Sequence, residues 1–471
     1  MNIILGPPGT GKTTTLLDIM DKALLAGTRA ESIGFISFTK RAIREAKERV
    51  KPKFNLSETQ LVNFRTLHSF AFRYLGLSTK SIMRKQNYQE LADLLGIEIE
   101  GDAAIVDNDF DINIETLKQG DRLLFLDGVS RNKMQPLKDT WERYSLDDLD
   151  FNDVRRCQYG LELYKQQFAL LDYTDLLERF IKEDFKFHLD LLLVDEAQDL
   201  STLQWKVLEK IASNCDKVYI AGDDDQAIFR WAGADIEYFI NLPGDVTVLK
   251  HSYRLSEEVH NYSQSILHNI TTRREKKFEP AGHKGSVSYI VDIEELDFSK
   301  GQWLILSRSS YNLYRYAEFI KQSGYFFHFK DIGPDENFYG KLIITYLKLQ
   351  FGLPTVKKDV ERLYKELGHD ADLRLPWQHS LLKTIPSIIV SYYDSLDKEV
   401  LETPRIQLST IHGAKGTEAD NVIICPDISY KAYMEMNENP DDEARVFYVG
   451  ATRAKENLYI LTPQTRYYYE L

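Results

Sequence analysis

Short apolar runs alternate with helix-like segments along most of this chain. Runs of strand length occur at 1–5, 191–194, 217–221, 303–308 and 422–425. Strands that alternate with helices in this way favour an α/β fold built on parallel sheets. The region between the first two runs departs from this pattern at 78–179, where the sequence is charged and helix-patterned, and we expect a helical insertion there.

Length and composition narrow the class of protein. A chain of 471 residues suggests roughly three or four domains or subdomains. No apolar stretch approaches the ~20 residues that span a bilayer. Cys157, Cys215 and Cys425 lie far apart without metal-like spacing, and no basic-then-apolar leader precedes the first strand. We therefore expect a soluble, cytoplasmic protein with no membrane partner. The net charge of −13 does not exclude nucleic acid, because a channel needs only local Lys and Arg.

The sequence Gly-Pro-Pro-Gly-Thr-Gly-Lys-Thr at 6–13 follows the first strand and opens a helix-like segment. Glycines let backbone N–H groups close around phosphate oxygens, Lys12 can neutralise the β and γ phosphates, and the Thr13 hydroxyl can hold Mg²⁺. The alternative is a Gly-rich turn. The residues expected to bind the nucleotide here are Gly6, Pro7, Pro8, Gly9, Thr10, Gly11, Lys12, Thr13 and Thr14.

A second nucleotide element ends the apolar run at 191–194. Asp195 and Glu196 follow this run directly, at the carboxyl edge where a doubly wound sheet presents catalytic groups. Asp195 is placed to hold Mg²⁺ through water, and Glu196 can orient and deprotonate the attacking water. By itself the pair could also be an acidic turn. We expect ATP and Mg²⁺ as cofactors, with Thr13 and Asp195 as the metal-binding residues.

Further motifs extend this pair. The sequence at 195–199 reads Asp-Glu-Ala-Gln-Asp, and Gly-Asp-Asp-Asp-Gln at 222–226 is followed by Phe229 and Trp231. With these motifs the chain resembles the superfamily 1A helicases of the UvrD/PcrA/Rep type, and further matches follow in family order over nearly all its length. The resemblance implies two RecA-like P-loop motor domains in tandem, with a helical 1B insertion and a vestigial 2B insertion. It also implies an ATP-dependent single-stranded DNA translocase and 3′–5′ DNA helicase.

The resemblance also implies roles around the nucleotide. Gln226 would sense the γ-phosphate, Tyr253 would stack on the base, and Glu418 would contact the ribose. Arg254 would reach the γ-phosphate and Arg453 would be an arginine finger. Both arginines are expected on a different domain from Lys12, so that hydrolysis is fast only when the cleft closes. The expected catalytic residues are Lys12, Glu196, Gln226, Arg254 and Arg453.

Contacts with single-stranded DNA are expected from motifs at 37–42, 65–69, 222–231 and 410–418. Aromatic rings can stack on bases, whereas hydroxyl, imidazole and ammonium groups can meet phosphate oxygens. The alternative is that the rings are core residues and the polar groups are surface residues. The expected DNA-binding residues are Phe38, Thr39, Lys40, Thr66, His68, Phe229, Trp231, Thr410 and His412.

The family pattern predicts domain 1A at 1–77 and 180–245, 1B at 78–179, domain 2A at 246–345 and 403–471, and a reduced 2B at 346–402. Strand separation could then depend on 1B, on a loop at 430–440 or on a partner; the alternative for 430–440 is an ordinary acidic connection. The family's adenine-reading glutamine motif is not found upstream of Gly6, which leaves the preference for ATP open.

The partners expected are single-stranded DNA, tailed duplex DNA and replication or repair proteins, and we expect a monomer in solution. Two other functions remain open. One is a DNA-stimulated motor that displaces proteins from DNA without processive unwinding. The other is a P-loop kinase or signalling NTPase that binds no nucleic acid. DNA stimulation of ATP hydrolysis distinguishes this last function from the other two, and tailed-duplex assays separate unwinding from displacement.

Overall fold

The computed structural model describes residues 1–37, 40–100, 117–144, 149–323, 325–329, 338–367, 372–381 and 404–471. The chain divides into two compact units. Unit 1 comprises Met1–Arg254 and Ile270–Ala281, and unit 2 comprises Leu255–Asn269 and Gly282–Leu471. None of the helices in these described ranges is long and apolar enough to cross a membrane.

Unit 1 is built on a six-stranded sheet with the order β3-β2-β4-β5-β1-β6, in which every neighbouring pair is parallel. Side chains of β4 alternate between two cores: Leu192 and Val194 pack on one face and Leu191 and Leu193 on the other. A central parallel strand with both faces covered is therefore apolar along its length. The strands are β1 (Asn2–Leu5), β2 (Ile33–Ser37), β3 (Phe64–Arg65), β4 (Leu189–Asp195), β5 (Cys215–Gly222) and β6 (Asp245–Val248).

Helices connect these strands. Between β3 and β4 the regular structure is mainly helical, and several of these helices share a separate hydrophobic core that includes Leu91, Phe125 and Leu161. This core lies within the predicted insertion at 78–179; its standing as a 1B subdomain stays a prediction. The helices of unit 1 are α1 (Lys12–Leu25), α2 (Lys40–Phe54), α3 (Leu67–Tyr74), α4 (Lys85–Leu95), α5 (Gln119–Asn132), α6 (Leu137–Tyr144), α7 (Phe151–Phe168), α8 (Tyr173–Lys182), α9 (Thr202–Ala212) and α10 (Ile236–Ile240).

Unit 2 begins with α11 (Glu257–Leu267) and contains a second six-stranded parallel sheet, of order β7-β12-β11-β8-β10-β9. Two parallel sheets with helical connections confirm the α/β prediction and are consistent with tandem RecA-like domains. The strands are β7 (Ser286–Ile290), β8 (Trp303–Ser307), β9 (Phe327–His328), β10 (Ile406–Thr410), β11 (Ala419–Cys425) and β12 (Ala454–Leu461). The helices are α12 (Tyr314–Gln322), α13 (Phe338–Gln350), α14 (Lys357–Leu367), α15 (Trp377–Leu381), α16 (Tyr430–Glu438) and α17 (Pro440–Ala451).

The stretch at 430–440 differs from the expected loop. It forms α16 and the first residue of α17. The Ser429 hydroxyl caps α16 by accepting a hydrogen bond from the Ala432 N–H, and Pro440 occupies the first turn of α17, where a missing N–H costs little. The stretch is therefore neither a loop nor an irregular acidic connection, and a role for it in strand separation stays a hypothesis.

Candidate active site

The phosphate loop joins β1 to α1 in a conformation that requires glycine. Gly9 and Gly11 have φ of +71° and +80°, in the left-handed region. A Cβ at Gly6 would lie 1.9 Å from Lys12 Cγ, so a larger residue there would displace the lysine side chain. The Thr10 hydroxyl donates to the Pro7 carbonyl at 2.8 Å and closes the turn. The loop therefore has the shape expected for a phosphate cradle.

Lys12 and Thr13 are the first two residues of α1. The Lys12 ammonium donates to the Gly6 carbonyl at 2.9 Å, so it lies across the loop. The Thr13 hydroxyl donates to Asp195 Oδ2 at 2.6 Å, which joins the loop to the end of β4. The amino terminus of this 14-residue helix adds backbone N–H donors and a positive dipole end, both favourable for phosphate.

Asp195 ends β4, and Glu196 follows it in the left-handed region with φ of +53°. The Glu196 N–H donates to Asp195 Oδ1 at 3.0 Å, and the Gln198 amide donates to Glu196 Oε2 at 2.6 Å. Burial, followed by the charge of Glu196, raises the pKa of Asp195 to about 7, although Thr13 and Lys12 oppose the shift. A buried carboxylate beside a hydroxyl offers the hard oxygen ligands that suit Mg²⁺.

Gln226 lies beyond the end of β5, directly after three buried aspartates. Its side-chain amide donates to Asp223 Oδ2 at 2.6 Å, and 5% of Gln226 is exposed. Asp223, Asp224 and Asp225 are almost completely buried, although none of them lies within a strand or a long helix. Three buried carboxylates on consecutive residues require cations nearby.

Those cations come from a segment that the sequence motifs did not single out. The Lys276 ammonium lies 3.0, 2.5 and 2.9 Å from carboxylate oxygens of Asp223, Asp224 and Asp225. Arg273 donates from Nε and Nη2 to Asp225 at 2.7 and 2.5 Å. The only available signal was a basic run at 273–277 some fifty residues after an acidic run. We name Asp223, Asp224, Asp225, Arg273 and Lys276 the acidic-turn cluster.

Tyr253 and Arg254 lie beside the phosphate loop. The Tyr253 N–H donates to the Gly9 carbonyl at 2.8 Å, and a Cβ at Gly9 would lie 2.4 Å from Arg254 Cβ. The Tyr253 side chain is 76% exposed and available for stacking. Arg254 belongs to unit 1, as Lys12 does, which differs from the expectation that it reaches in from another domain. The reason is that this segment is hydrogen-bonded to the loop itself.

The remaining predicted residues of the second half belong to unit 2. Thr410 ends β10, and its hydroxyl accepts from the Gly413 N–H at 3.1 Å. His412 is 5% exposed. Glu418 lies 3.6 Å from the Lys455 ammonium. Arg453 is 2% exposed and donates from Nε to the Val449 carbonyl at 3.0 Å, so the backbone at the end of α17 orients its guanidinium.

Several predicted DNA contacts belong to unit 1. Phe38 and Thr39 lie outside the described residues, and Lys40 is the first residue of α2. Thr66 caps α3 by accepting from the Ser69 N–H at 3.4 Å. In the first turn of that helix, the His68 ring meets Tyr173 edge-on at 6.0 Å.

Two predicted stacking residues are packed inside unit 1. Phe229 is 3% exposed, so a base could stack on its ring only after neighbouring residues moved. Trp231 stacks on Phe125 with ring centroids 6.1 Å apart, and its carbonyl accepts from the Tyr144 hydroxyl. The Trp231 ring thus packs against the helical core between β3 and β4.

The parallel sheet and the phosphate loop define unit 1 as a P-loop nucleotide-binding fold. Two family descriptions match the chain: the UvrD/REP helicase N-terminal domain over residues 1–247, and the UvrD-like helicase C-terminal domain over residues 358–465. The first match covers more than half of the chain. The chain therefore belongs to the UvrD/Rep helicase family, and the resemblance noted in its motifs is confirmed.

Individual relatives are distant. The chain is 27% identical over 291 residues to the ATP-dependent DNA helicase Rep of Buchnera aphidicola, covering 58% of this chain and 44% of that protein. In an alignment 515 positions long, it is 22% identical to a probable DNA helicase of Mycoplasma pneumoniae, covering 98% of this chain and 80% of that protein. It is 24% identical over 313 residues to the ATP-dependent DNA helicase PcrA of Staphylococcus aureus, covering 63% and 42% respectively. The chain thus spans less than half of the Rep and PcrA relatives.

Proposed function

We propose that this protein is an ATP-dependent single-stranded DNA translocase and 3′–5′ DNA helicase. The observation that carries the proposal is the hydrogen bond between Thr13 and Asp195, which joins the phosphate loop to the acidic end of β4. This is the arrangement needed to hold a metal and triphosphate together. Family membership and the names of the relatives, which are DNA helicases, support the choice of DNA as partner.

Hydrolysis would depend on residues of unit 1. Thr13 and Asp195 are placed to hold Mg²⁺, which neutralises phosphate charge when it is bound. Lys12 would contact the β and γ phosphates from within the loop. Glu196 is adjacent and half-buried, and its carboxylate would orient the attacking water and accept its proton.

Other residues would respond to the transferring phosphoryl group. Gln226 would sense the γ-phosphate, while Arg254 and Arg453 would stabilise the charge of the transition state, a contribution of about 10³ to 10⁵ in rate for an arginine finger. Tyr253 would stack on the base, because its ring is exposed beside Gly9. Glu418 would contact the ribose.

Movement along DNA would require contacts that alternate with the nucleotide state. Thr66 is the N-cap of α3 and His68 lies in its first turn, so both can meet a phosphate at the helix amino terminus. In the preceding motif, Thr39 and Lys40 would also meet phosphate oxygens, whereas Phe38 would stack on a base. In unit 2 the coupling residues would be Thr410 and His412.

Steady-state ATP hydrolysis with and without single-stranded DNA is the first test. On the same preparation, unwinding of duplexes with a 3′ or a 5′ tail follows. Strong stimulation together with unwinding only from the 3′ tail is the expected result. Stimulation without unwinding would replace helicase activity by a motor that displaces proteins or needs a partner. Hydrolysis that DNA does not stimulate would contradict the motor and leave a P-loop NTPase.

Nucleotide titration with and without Mg²⁺ distinguishes a metal-dependent site from one that binds only phosphate. Titration of a fluorescent ATP analogue in chelator and in Mg²⁺ should show tighter binding with the metal. Thr13→Val keeps the size of the side chain but removes the hydroxyl, so its binding should depend less on Mg²⁺. Thr15→Val is the matched control, because the Thr15 hydroxyl donates to the Gly11 carbonyl within the helix. Equal metal dependence in both variants would contradict the assignment of Thr13.

A further inference from the structure

A short segment of unit 1 is separated in sequence from the rest of that unit. We call Ile270–Ala281 the strap; residues of unit 2 precede and follow it. The Glu279 N–H donates to the Lys250 carbonyl at 2.8 Å, and the Ser252 N–H donates to the Glu279 carbonyl at 2.8 Å. The Ser252 hydroxyl in turn donates to the Pro8 carbonyl at 2.8 Å. The strap is therefore linked to the phosphate loop through one intermediate segment.

The same strap supplies the cations of the acidic-turn cluster. The Lys276 side chain is 1% exposed, and the side chains of its three carboxylate partners are 0–1% exposed. Burial alone would make Asp223 hard to ionise, but Lys276 and Lys12 outweigh that effect and lower the pKa of Asp223. Asp223 also accepts the hydrogen bond from the Gln226 amide. One carboxylate thus connects the buried ammonium group to the glutamine.

The Asp223 carboxylate is an acceptor that favours one orientation of the Gln226 amide. When an amide donates from Nε2 to a carboxylate, the flipped orientation, which would bring Oε1 against that carboxylate, is unfavourable. The Oε1 atom is therefore directed away from the acceptor. Without the ammonium group, three adjacent carboxylates would repel one another, and at least one would take up a proton or turn away. A protonated Asp223 would no longer be an acceptor on both oxygens, and Gln226 would lose its fixed orientation.

We infer that Lys276 is a positioning residue that acts through Asp223 to hold Gln226 in the orientation that reads the γ-phosphate. This inference rests on the proposed function, because Gln226 needs a nucleoside triphosphate to read. Lys276 itself contacts the three carboxylates of the cluster, so its effect on hydrolysis is indirect and passes through Asp223 and Gln226. It lies in none of the motifs that carry the family resemblance.

The test compares Lys276→Met, Gln226→Ala and the double variant in the full chain. Lys276→Met keeps an unbranched side chain but removes the charge. We expect each single variant to lower kcat of DNA-stimulated ATP hydrolysis about 10- to 100-fold with KM changed less than about threefold. Because both changes affect one chain of contacts, the double variant should lie within about twofold of Gln226→Ala.

Arg273→Met is the matched control. It also removes a cation from the strap and from the acidic-turn cluster, but Arg273 donates to Asp225, two residues from Asp223. Arg273→Met should lower Tm, as Lys276→Met should. Any effect of Arg273→Met on kcat should be independent of Gln226→Ala, so that the two fold-changes multiply in the double variant. Lys276→Arg should recover part of the lost kcat, because the charge returns.

Lys276→Met that lowers Tm but leaves kcat normal would overturn the inference, since the lysine would then only stabilise the fold. Losses that multiply in the double variant would overturn it as well. If Lys276→Met does not fold, Asp223→Asn tests the same link at nearly constant size. It should lower kcat and be non-additive with Gln226→Ala; normal kcat would contradict the inference. Failure of the proposed function is distinct, because wild-type hydrolysis would then lack DNA stimulation.

Discussion

The two parallel sheets end in different chemistry at their carboxyl edges. In unit 1, β4 ends at Asp195, which is 1% exposed and is followed directly by the carboxylate of Glu196. In unit 2, β11 ends at Cys425, two residues before Asp427, which is 2% exposed. Asp427 accepts hydrogen bonds from the N–H groups of Gln464 and Thr465 and from the Thr465 hydroxyl.

Both aspartates are buried, but their surroundings differ. Asp427 accepts hydrogen bonds from Gln464 and Thr465, which tie the last segment of the chain to the end of β11. Asp195 accepts hydrogen bonds from Thr13 and Glu196, yet burial and the Glu196 charge still raise its pKa to about 7. The same sheet architecture therefore supports a structural carboxylate in one unit and, in the other, a carboxylate whose charge is costly without a cation.

The largest expected effect is on hydrolysis at the edge of unit 1. Lys12→Ala removes the ammonium group of the phosphate loop, and Glu196→Gln removes the proposed base. Each should lower kcat for ATP hydrolysis by at least about 10³-fold. Lys22→Ala, at the exposed far end of α1, is the control and should be nearly normal. DNA-stimulated turnover retained in Glu196→Gln would contradict the assignment of the base.

The second effect is on the stability of unit 2. Asp427→Ala removes the acceptor of hydrogen bonds from the Gln464 and Thr465 N–H groups, the Thr465 hydroxyl and the Cys425 thiol. The free energy of unfolding should fall by about 2–3 kcal/mol, while ATP hydrolysis well below Tm stays normal. Asp297→Ala is the control, because Asp297 accepts from Ser299 at an exposed turn and should cost less than about 1 kcal/mol. A large loss of kcat in Asp427→Ala would remove the contrast between the two edges.

The third effect has the opposite sign. Asp195→Asn should abolish hydrolysis yet raise the free energy of unfolding in chelator by about 1–2 kcal/mol at pH 8, because it removes a buried charge beside Glu196. The new amide can donate to the Thr13 hydroxyl oxygen, and this half-exposed hydroxyl can turn its own hydrogen towards water.

The pH dependence follows from the same shift. The pKa of Asp195 is higher in the folded protein, so the folded state binds the proton more tightly than the unfolded state does. This contribution to wild-type stability is complete below pH about 4 and is lost as pH rises towards about 7. Urea unfolding in chelator across this range should show the loss in wild type and not in Asp195→Asn. A variant less stable than wild type at pH 8 would contradict the argument.

The sequence was most informative where one continuous motif builds the site. The loop at 6–13 and the acidic pair at 195–196 each lie within one short stretch, so the sequence alone placed Lys12 just after β1 and Asp195 at the end of β4, two strands of one sheet that are separated by β5. An ion pair between two distant stretches is harder to predict from the sequence. Lys276 lies about fifty residues after its aspartates, and no local pattern indicates that the basic run at 273–277 contacts the acidic run at 223–225.

Aromatic residues show a second limit. Phe229 and Trp231 follow a motif, and spacing cannot tell a ring that faces solvent from one that packs inward. In the structure, Phe229 is buried and Trp231 packs on Phe125 from a helix about a hundred residues earlier. Their exposure depends on which distant helix covers them, and that is decided by tertiary packing.

The smallest expected effect distinguishes a hydroxyl that shapes the phosphate loop from one that only stabilises the fold. Ser252 and Ser263 are both completely buried, and each hydroxyl donates to a carbonyl at 2.8 Å. Ser252 donates to Pro8 in the phosphate loop, whereas Ser263 donates to His260 within α11. Each Ser→Ala change should cost about 1 kcal/mol of stability. Only Ser252→Ala should also raise KM for ATP, about two- to fivefold, because the loop loses a fixed carbonyl. Equal KM values in the two variants would mean that the contact with Pro8 stabilises the fold without shaping the nucleotide site.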